Sequence, residues 1–162
     1  MLPISNILVP MDFSRHSEQA LEYAKEIARP LKATLHLLHV MEPLTTYGSW
    51  EGLPMTDLIG RAFEQAEEKL QNYAGKLMDE GFEVRIKVME GHPDLAINGY
   101  AEQYSVDIIC MGTHGRRGLE YLLFGSTTEK TLRTAPCSVL AVRLPKEPAE
   151  HSAKAAVAFA QN

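Results

Sequence analysis

The stretch Asp107-Ile108-Ile109-Cys110-Met111-Gly112-Thr113-His114-Gly115-Arg116-Arg117-Gly118 carries the reading of the fold. Asp107 to Met111 has the length and apolar character of a strand covered on both faces. A glycine-bearing segment follows at once. At Gly125-Ser126-Thr127-Thr128-Glu129 the pattern turns helical and runs to Thr134, where Ala135-Pro136 closes it. Strand, glycine loop and helix in that order describe one half of a parallel α/β unit.

The same alternation recurs on either side. Asn6-Ile7-Leu8-Val9-Pro10 is a short apolar run, and Ser14 is placed to cap a helix carrying Ala20, Leu21, Ala24, Ile27, Ala28 and Leu31 at helical spacing. Thr34 to Val40 reads as a second strand that includes His36 and His39. The pattern breaks over 41–54, where Tyr47, Gly48, Gly52 and Pro54 interrupt it and Trp50 is the single tryptophan. A second amphipathic helix follows, with Ile59, Ala62, Phe63, Ala66, Leu70, Tyr73, Ala74 and Leu77 on one face and Gly81 to end it. Phe82 to Met89 alternates in character, as an edge strand with one wet face does, and His92-Pro93-Asp94 opens a third helix through about Tyr104. Ser138 to Val142 is the last strand. Five strands separated by four helices predict a doubly wound five-stranded parallel sheet with helices on both faces, because parallel strands need crossover connections.

Bulk composition narrows the class. The 162 residues suffice for one domain with a full core, and 45% apolar against 23% charged residues is a globular balance. The chain from 1 to 144 reads as that domain, and 145–162 as a C-terminal tail, mobile or weakly helical. No run approaches the roughly 20 apolar residues of a membrane span, and no signal-like start is present, so a cytoplasmic location without membrane contact is expected. Net charge is −5 with no basic stripe, which argues against a general nucleic-acid binder. Cys110 and Cys137 have neither metal-ligand nor redox spacing and are expected as reduced, buried thiols.

Chemistry concentrates in residues 112–127. Glycines let the backbone approach an anion and direct N–H groups at it. Ser126 and Glu129 have capping-box spacing, which predicts a helix N-terminus at Ser126 with its partial positive charge. Arg116, Arg117 and His114 add charged or titratable groups. Taken locally, the glycines fit a plain turn as well as a phosphate loop, and Ser126 a plain cap as well as a ligand donor. The two common nucleotide motifs, GxxxxGK[ST] and GxGxxG, are absent.

The spacing Gly112-x2-Gly115-x9-Gly125-Ser126 resembles the ATP-binding signature of the universal stress protein family. Ile7-Leu8-Val9-Pro10-Met11-Asp12-Phe13-Ser14 is similar to that family's first strand and turn, and Ala135-Pro136-Cys137-Ser138-Val139-Leu140-Ala141-Val142 to its last strand. The likeness spans residues 3 to 143. It implies a strand order of 3-2-1-4-5 and a nucleotide, ATP with Mg²⁺, lying between strands one and four. It further implies that Pro10, Met11 and Asp12 line the adenine and ribose side and that the backbone of Val40 meets the adenine. Met111 and Gly112 would then lie near the ribose, and Gly115, Arg116, Gly125, Ser126 and Thr127 near the phosphates.

Three further expectations complete the reading. No general base stands near the loop, so binding is expected rather than efficient hydrolysis, with a weak ATPase as the upper limit. His36 and His39, inside a strand and without metal-ligand spacing, are expected to be structural. The Phe82–Met89 edge is defended by Arg85 and Lys87, whereas the Ser138–Val142 edge is short, apolar and undefended. A homodimer through that second edge is therefore expected, as the resemblance also implies.

Overall fold

Apolar runs that would be insoluble alone are stacked side by side and covered from both sides. The computed structural model describes residues 4–43, 55–114 and 124–144. Its elements are β1 (Asn6–Pro10), α1 (Arg15–Leu31), β2 (Thr34–Met41), α2 (Met55–Asp79), β3 (Val84–Glu90), α3 (Pro93–Gln103), β4 (Ile108–Gly112), α4 (Ser126–Thr134) and β5 (Ser138–Val142). All strand pairings are parallel, in the order β3-β2-β1-β4-β5, so the chain first winds outward to β3 and then crosses to the other side of β1. The reversal falls between β1 and β4, where Ile7 pairs with Ile108 and Leu8 with Ile109.

Side-chain alternation along the strands feeds two cores. Ile7, Val9, Leu35, Leu37 and Cys110 join Ala20, Leu21 and Ala24 of α1 and Ala66, Leu70 and Leu77 of α2. Leu8, Leu38, Ile109 and Met111 point the other way, onto Ile97, Tyr100 and Ala101 of α3. The helical faces expected for α1 and α2 are thus the ones that pack, except that Leu31 at the end of α1 is exposed. Ser14 caps α1, its hydroxyl accepting from the Ser17 N–H, and Gly81 follows α2 at φ 91°.

Strand boundaries moved by one or two residues, with β2 ending at Met41 and β4 spanning Ile108–Gly112. β3 begins at Val84 rather than Phe82, because Phe82 is drawn into the α1/α2 core and stacks beneath the Arg29 guanidinium at 4.6 Å. The Ser126 cap is also corrected. α4 starts at Ser126, and its N-cap is Gly125 in extended conformation with no side-chain capping bond. Gly125 takes that place because its N–H donates to the Thr113 carbonyl at 2.7 Å while its own carbonyl accepts from Glu129 N–H at 2.9 Å. Both cysteines are free, and burial pushes the Cys110 thiol up to about 12, so it is inert at neutral pH.

Segment 44–54 with Trp50, residues 115–123 and the 145–162 tail lie outside the described residues. Among the described residues no helix is long and apolar enough to cross a membrane, and no cluster of metal-ligating side chains occurs.

His36 is structural, as expected. Its ring is fully buried, with Nε2 3.1 Å from Asn6 Oδ1 and Nδ1 3.0 Å from the Tyr100 hydroxyl. A neutral ring satisfies both: Nε2–H donates to the amide oxygen and Nδ1 accepts from the phenol. Burial, and then the Arg85 guanidinium, hold its pKa below 6.5 against the opposing pull of Glu83. The depressed folded value means that this stability is present above the unfolded pKa and is lost as pH falls through the folded one. Urea midpoints measured from pH 7.5 to 5 should therefore drop on the acid side, and His36→Gln should flatten that drop. An equally steep drop in the variant would exclude His36 as its source.

Candidate functional site

The strand-order reversal opens a gap at the carboxyl end of the sheet, because the chain leaves β1 toward one face and β4 toward the other. A cleft of about 770 Å³ occupies this end. β1 and its turn contribute Pro10, Met11 and Asp12, and β2 contributes Val40. Met111 and Gly112 come from β4, and Gly125, Ser126 and Thr127 from the start of α4. Nine of the eleven residues named from the sequence thus meet in one cavity. The other two, Gly115 and Arg116, lie outside the described residues.

Each wall has an identifiable local cause. Asp12 Oδ1 accepts from both the Ser14 backbone N–H (3.0 Å) and the Ser14 hydroxyl (2.6 Å), which fixes the carboxylate at the mouth of α1. Ser14 is the cap of α1, and Asp12, which lines the cleft, orients it. On the opposite wall, Thr128 is buried and donates its hydroxyl to the Gly112 carbonyl at 2.8 Å, tying the first turn of α4 to the end of β4. That tie holds the first turn of α4 at the cleft wall, and helix geometry leaves its first amides without intrahelical partners. A helix N-terminus without a side-chain cap, flanked by the Ser126 and Thr127 hydroxyls, is suited to an anion.

Four contributors were missed or undervalued at the level of sequence. His39 lines the cleft, although its structural role is also real: Nδ1 sits 2.6 Å from the Met11 carbonyl and therefore carries the proton. Gln65 and Lys69 reach the cleft from α2, and Phe13 from the β1–α1 turn. Phe13 holds φ at 62°, in the left-handed region that costs a bulky residue about 1–3 kcal/mol. The sign of such a position is visible only in the backbone, since nothing about phenylalanine announces it. His114 also lines the cleft and stands 5.5 Å, ring to ring, from His16. Burial first, then His114 and Arg15, lower the His16 pKa, while Asp12 raises it.

Gly112 has a packing duty besides facing the cleft. A Cβ built there would lie 2.7 Å from the Cβ of His16 and 2.9 Å from its carbonyl carbon and oxygen. Two of those three contacts are backbone, so the first turn of α1 would have to move. Gly112→Ala should therefore destabilise the fold by about 1–3 kcal/mol, the range for overpacking. Chemical denaturation checks this, and an unchanged midpoint would show that α1 can shift freely.

Comparison with known proteins agrees with this architecture. The family model described as "Universal stress protein family" matches residues 3–143. Universal stress protein MJ0531 of Methanocaldococcus jannaschii is 32% identical over 146 residues, covering 87% of this chain and 83% of the relative. The solved structure of MJ0577 superposes with a TM-score of 0.79 at 32% identity, covering 90% of this chain and 100% of that one. A universal stress protein from Archaeoglobus fulgidus, solved in complex with dAMP, shares the fold at a TM-score of 0.60 and 20% identity, over 87% of this chain and 98% of that one. A family model matched over residues 3–143 and a relative 32% identical over most of both chains settle the grouping: the chain belongs to the universal stress protein family.

Proposed function

We propose that the protein is an ATP-binding regulatory module of the stress response, whose shape or partner choice depends on nucleotide occupancy. The observation that carries this reading is that the Asp12 carboxylate and the α4 N-terminus, which has no side-chain cap, line one cleft. A carboxylate accepts from ribose hydroxyls or an adenine amine, and a helix N-terminus holds phosphates. In this reading Pro10, Met11, Asp12 and Val40 take the adenine and ribose, Met111 and Gly112 lie near the ribose, and Gly125, Ser126 and Thr127 hold the phosphates. Gly115 and Arg116 complete the phosphate loop. The dAMP complex of the Archaeoglobus fulgidus protein is in keeping with an adenine nucleotide, though at that distance it speaks first for the fold.

Magnesium is part of the proposal as a companion of the triphosphate, held chiefly by phosphate oxygens. Binding rather than turnover is the expected behaviour. Efficient hydrolysis needs a base or a water-positioning group at the γ-phosphate, and the described residues assigned to the phosphates, Gly125, Ser126 and Thr127, include no carboxylate or histidine. The module acts in the cytoplasm as a homodimer through β5, whose residues Val139, Leu140 and Ala141 are only half-buried in the single chain.

Ser126→Asp separates ligand binding from folding. A carboxylate in the first turn of α4 complements the helix dipole and should leave stability unchanged or raise it by about 0.3–1 kcal/mol. The same charge repels phosphates and should weaken ATP at least about tenfold, or roughly 1.4 kcal/mol. Calorimetric titration with ATP, with and without Mg²⁺, reads this directly. Unchanged affinity would refute the site, and turnover of many ATP per minute by the parent protein would replace a binding module with an enzyme. Sedimentation equilibrium at micromolar concentration should give the mass of a dimer, and a monomer would sink the β5 interface.

A further inference from the structure

We propose that Tyr73 and Phe13 are positioning residues for the nucleotide: a ladder of stacked rings descending from α2 fixes the turn that presents Met11 and Asp12 to the ligand. This deepens the nucleotide-binding reading and rests on it.

The ladder is continuous. Glu18 of α1 accepts the Tyr73 hydroxyl at 2.5 Å. The Tyr73 ring stacks near Phe13 at 6.3 Å between centroids and 20° between planes. Phe13 stacks on His39 at 4.6 Å and 28°, and His39 Nδ1–H donates to the Met11 carbonyl at 2.6 Å. The Lys69 ammonium lies 5.1 Å from the centre of the Phe13 ring, a further link to α2. The ladder therefore joins α1, α2, the β1–α1 turn and β2, and it ends on the backbone that lines the cleft.

The turn needs such a support because of its backbone. Met11 is pinned at both ends, its N–H donating to the Leu38 carbonyl at 2.7 Å and its carbonyl accepting from His39. Two residues later Phe13 stands at φ 62°. Rotation about that one bond reorients the Asp12–Phe13 peptide relative to α1, and a residue with a side chain left to itself would return to negative φ. The stacking of Phe13 between His39 and the α2 side chains holds the unfavourable rotamer of the chain in place. Strain kept in place by its surroundings is a means of preorganisation, and preorganised sites bind more tightly because ordering is not left to the moment of binding.

Tyr73 allows a clean test, since it belongs to the ladder but does not line the cleft. Tyr73→Leu, Tyr73→Phe and Leu77→Ala are compared by ATP titration and by thermal unfolding. Leu77 is a buried α2 residue one turn further on, outside the ladder, and reports the effect of a loosened core alone. Tyr73→Leu should weaken ATP about five- to tenfold, while Tyr73→Phe, which keeps the ring, should stay close to the parent. Leu77→Ala should lower the melting temperature with no matching loss of affinity.

Unchanged affinity in Tyr73→Leu overturns the proposal, as does equal weakening in Tyr73→Phe or in Leu77→Ala. Failure of the parent protein to bind ATP overturns the nucleotide reading itself, and the ladder's role with it. The two failures are therefore distinguishable.

Discussion

The pairing of β1 with β4 is the constraint on which the rest of the molecule depends. Ile7 and Leu8 lie directly against Ile108 and Ile109, yet the two strands are a hundred residues apart in sequence. That contact requires the chain to build the β1–β2–β3 side first and then return over the far face. The two cores, the opposite placement of the α1/α2 and α3/α4 layers, and the cleft are consequences of this single return. Even the tie of the N-terminus follows from it, since the backbone N–H groups of Ser5 and Asn6 both donate to Asp107 Oδ2 just before β4.

The same junction concentrates polar chemistry where the packing leaves room for it. The first turns of α1 and α4 both meet the end of β4, His16 packing on Gly112 and Thr128 bonding its carbonyl. One brings a carboxylate held by Ser14, the other a helix N-terminus tied down through Thr128. Neither feature is unusual alone. Together with the apolar Leu38, Val40 and Met111 they give the cleft a lining of mixed character.

Much of this was legible in the sequence for definite reasons. Helix faces repeat every three to four residues and buried strands form short apolar runs, so α1, α2, α4 and β5 could be placed closely. Ser14 and Gly81 declare helix ends through chemistry that belongs to the residue itself. Legibility failed where a role depends on the neighbour. Ser126 and Glu129 have the spacing of a capping box, but Gly125 had already taken the cap through the Thr113 carbonyl. Tyr73 reads as one more apolar member of the α2 face, and only the fold shows that it backs a residue sixty positions earlier. Phe13 and Lys69 were silent for the same reason. His39 was read for the strand it sits in and not for the carbonyl it faces across from β2.

Gly112 carries a consequence for how such a sequence can drift. Its missing side chain makes room for the first turn of α1 as well as opening the cleft wall. Ser126 and Thr127 are exposed or partly exposed and bear little of the core, so the fold leaves them free to vary. Position 112 would still be held to glycine by the helix beneath it. A surviving glycine there is thus a record of architecture, kept by packing alone.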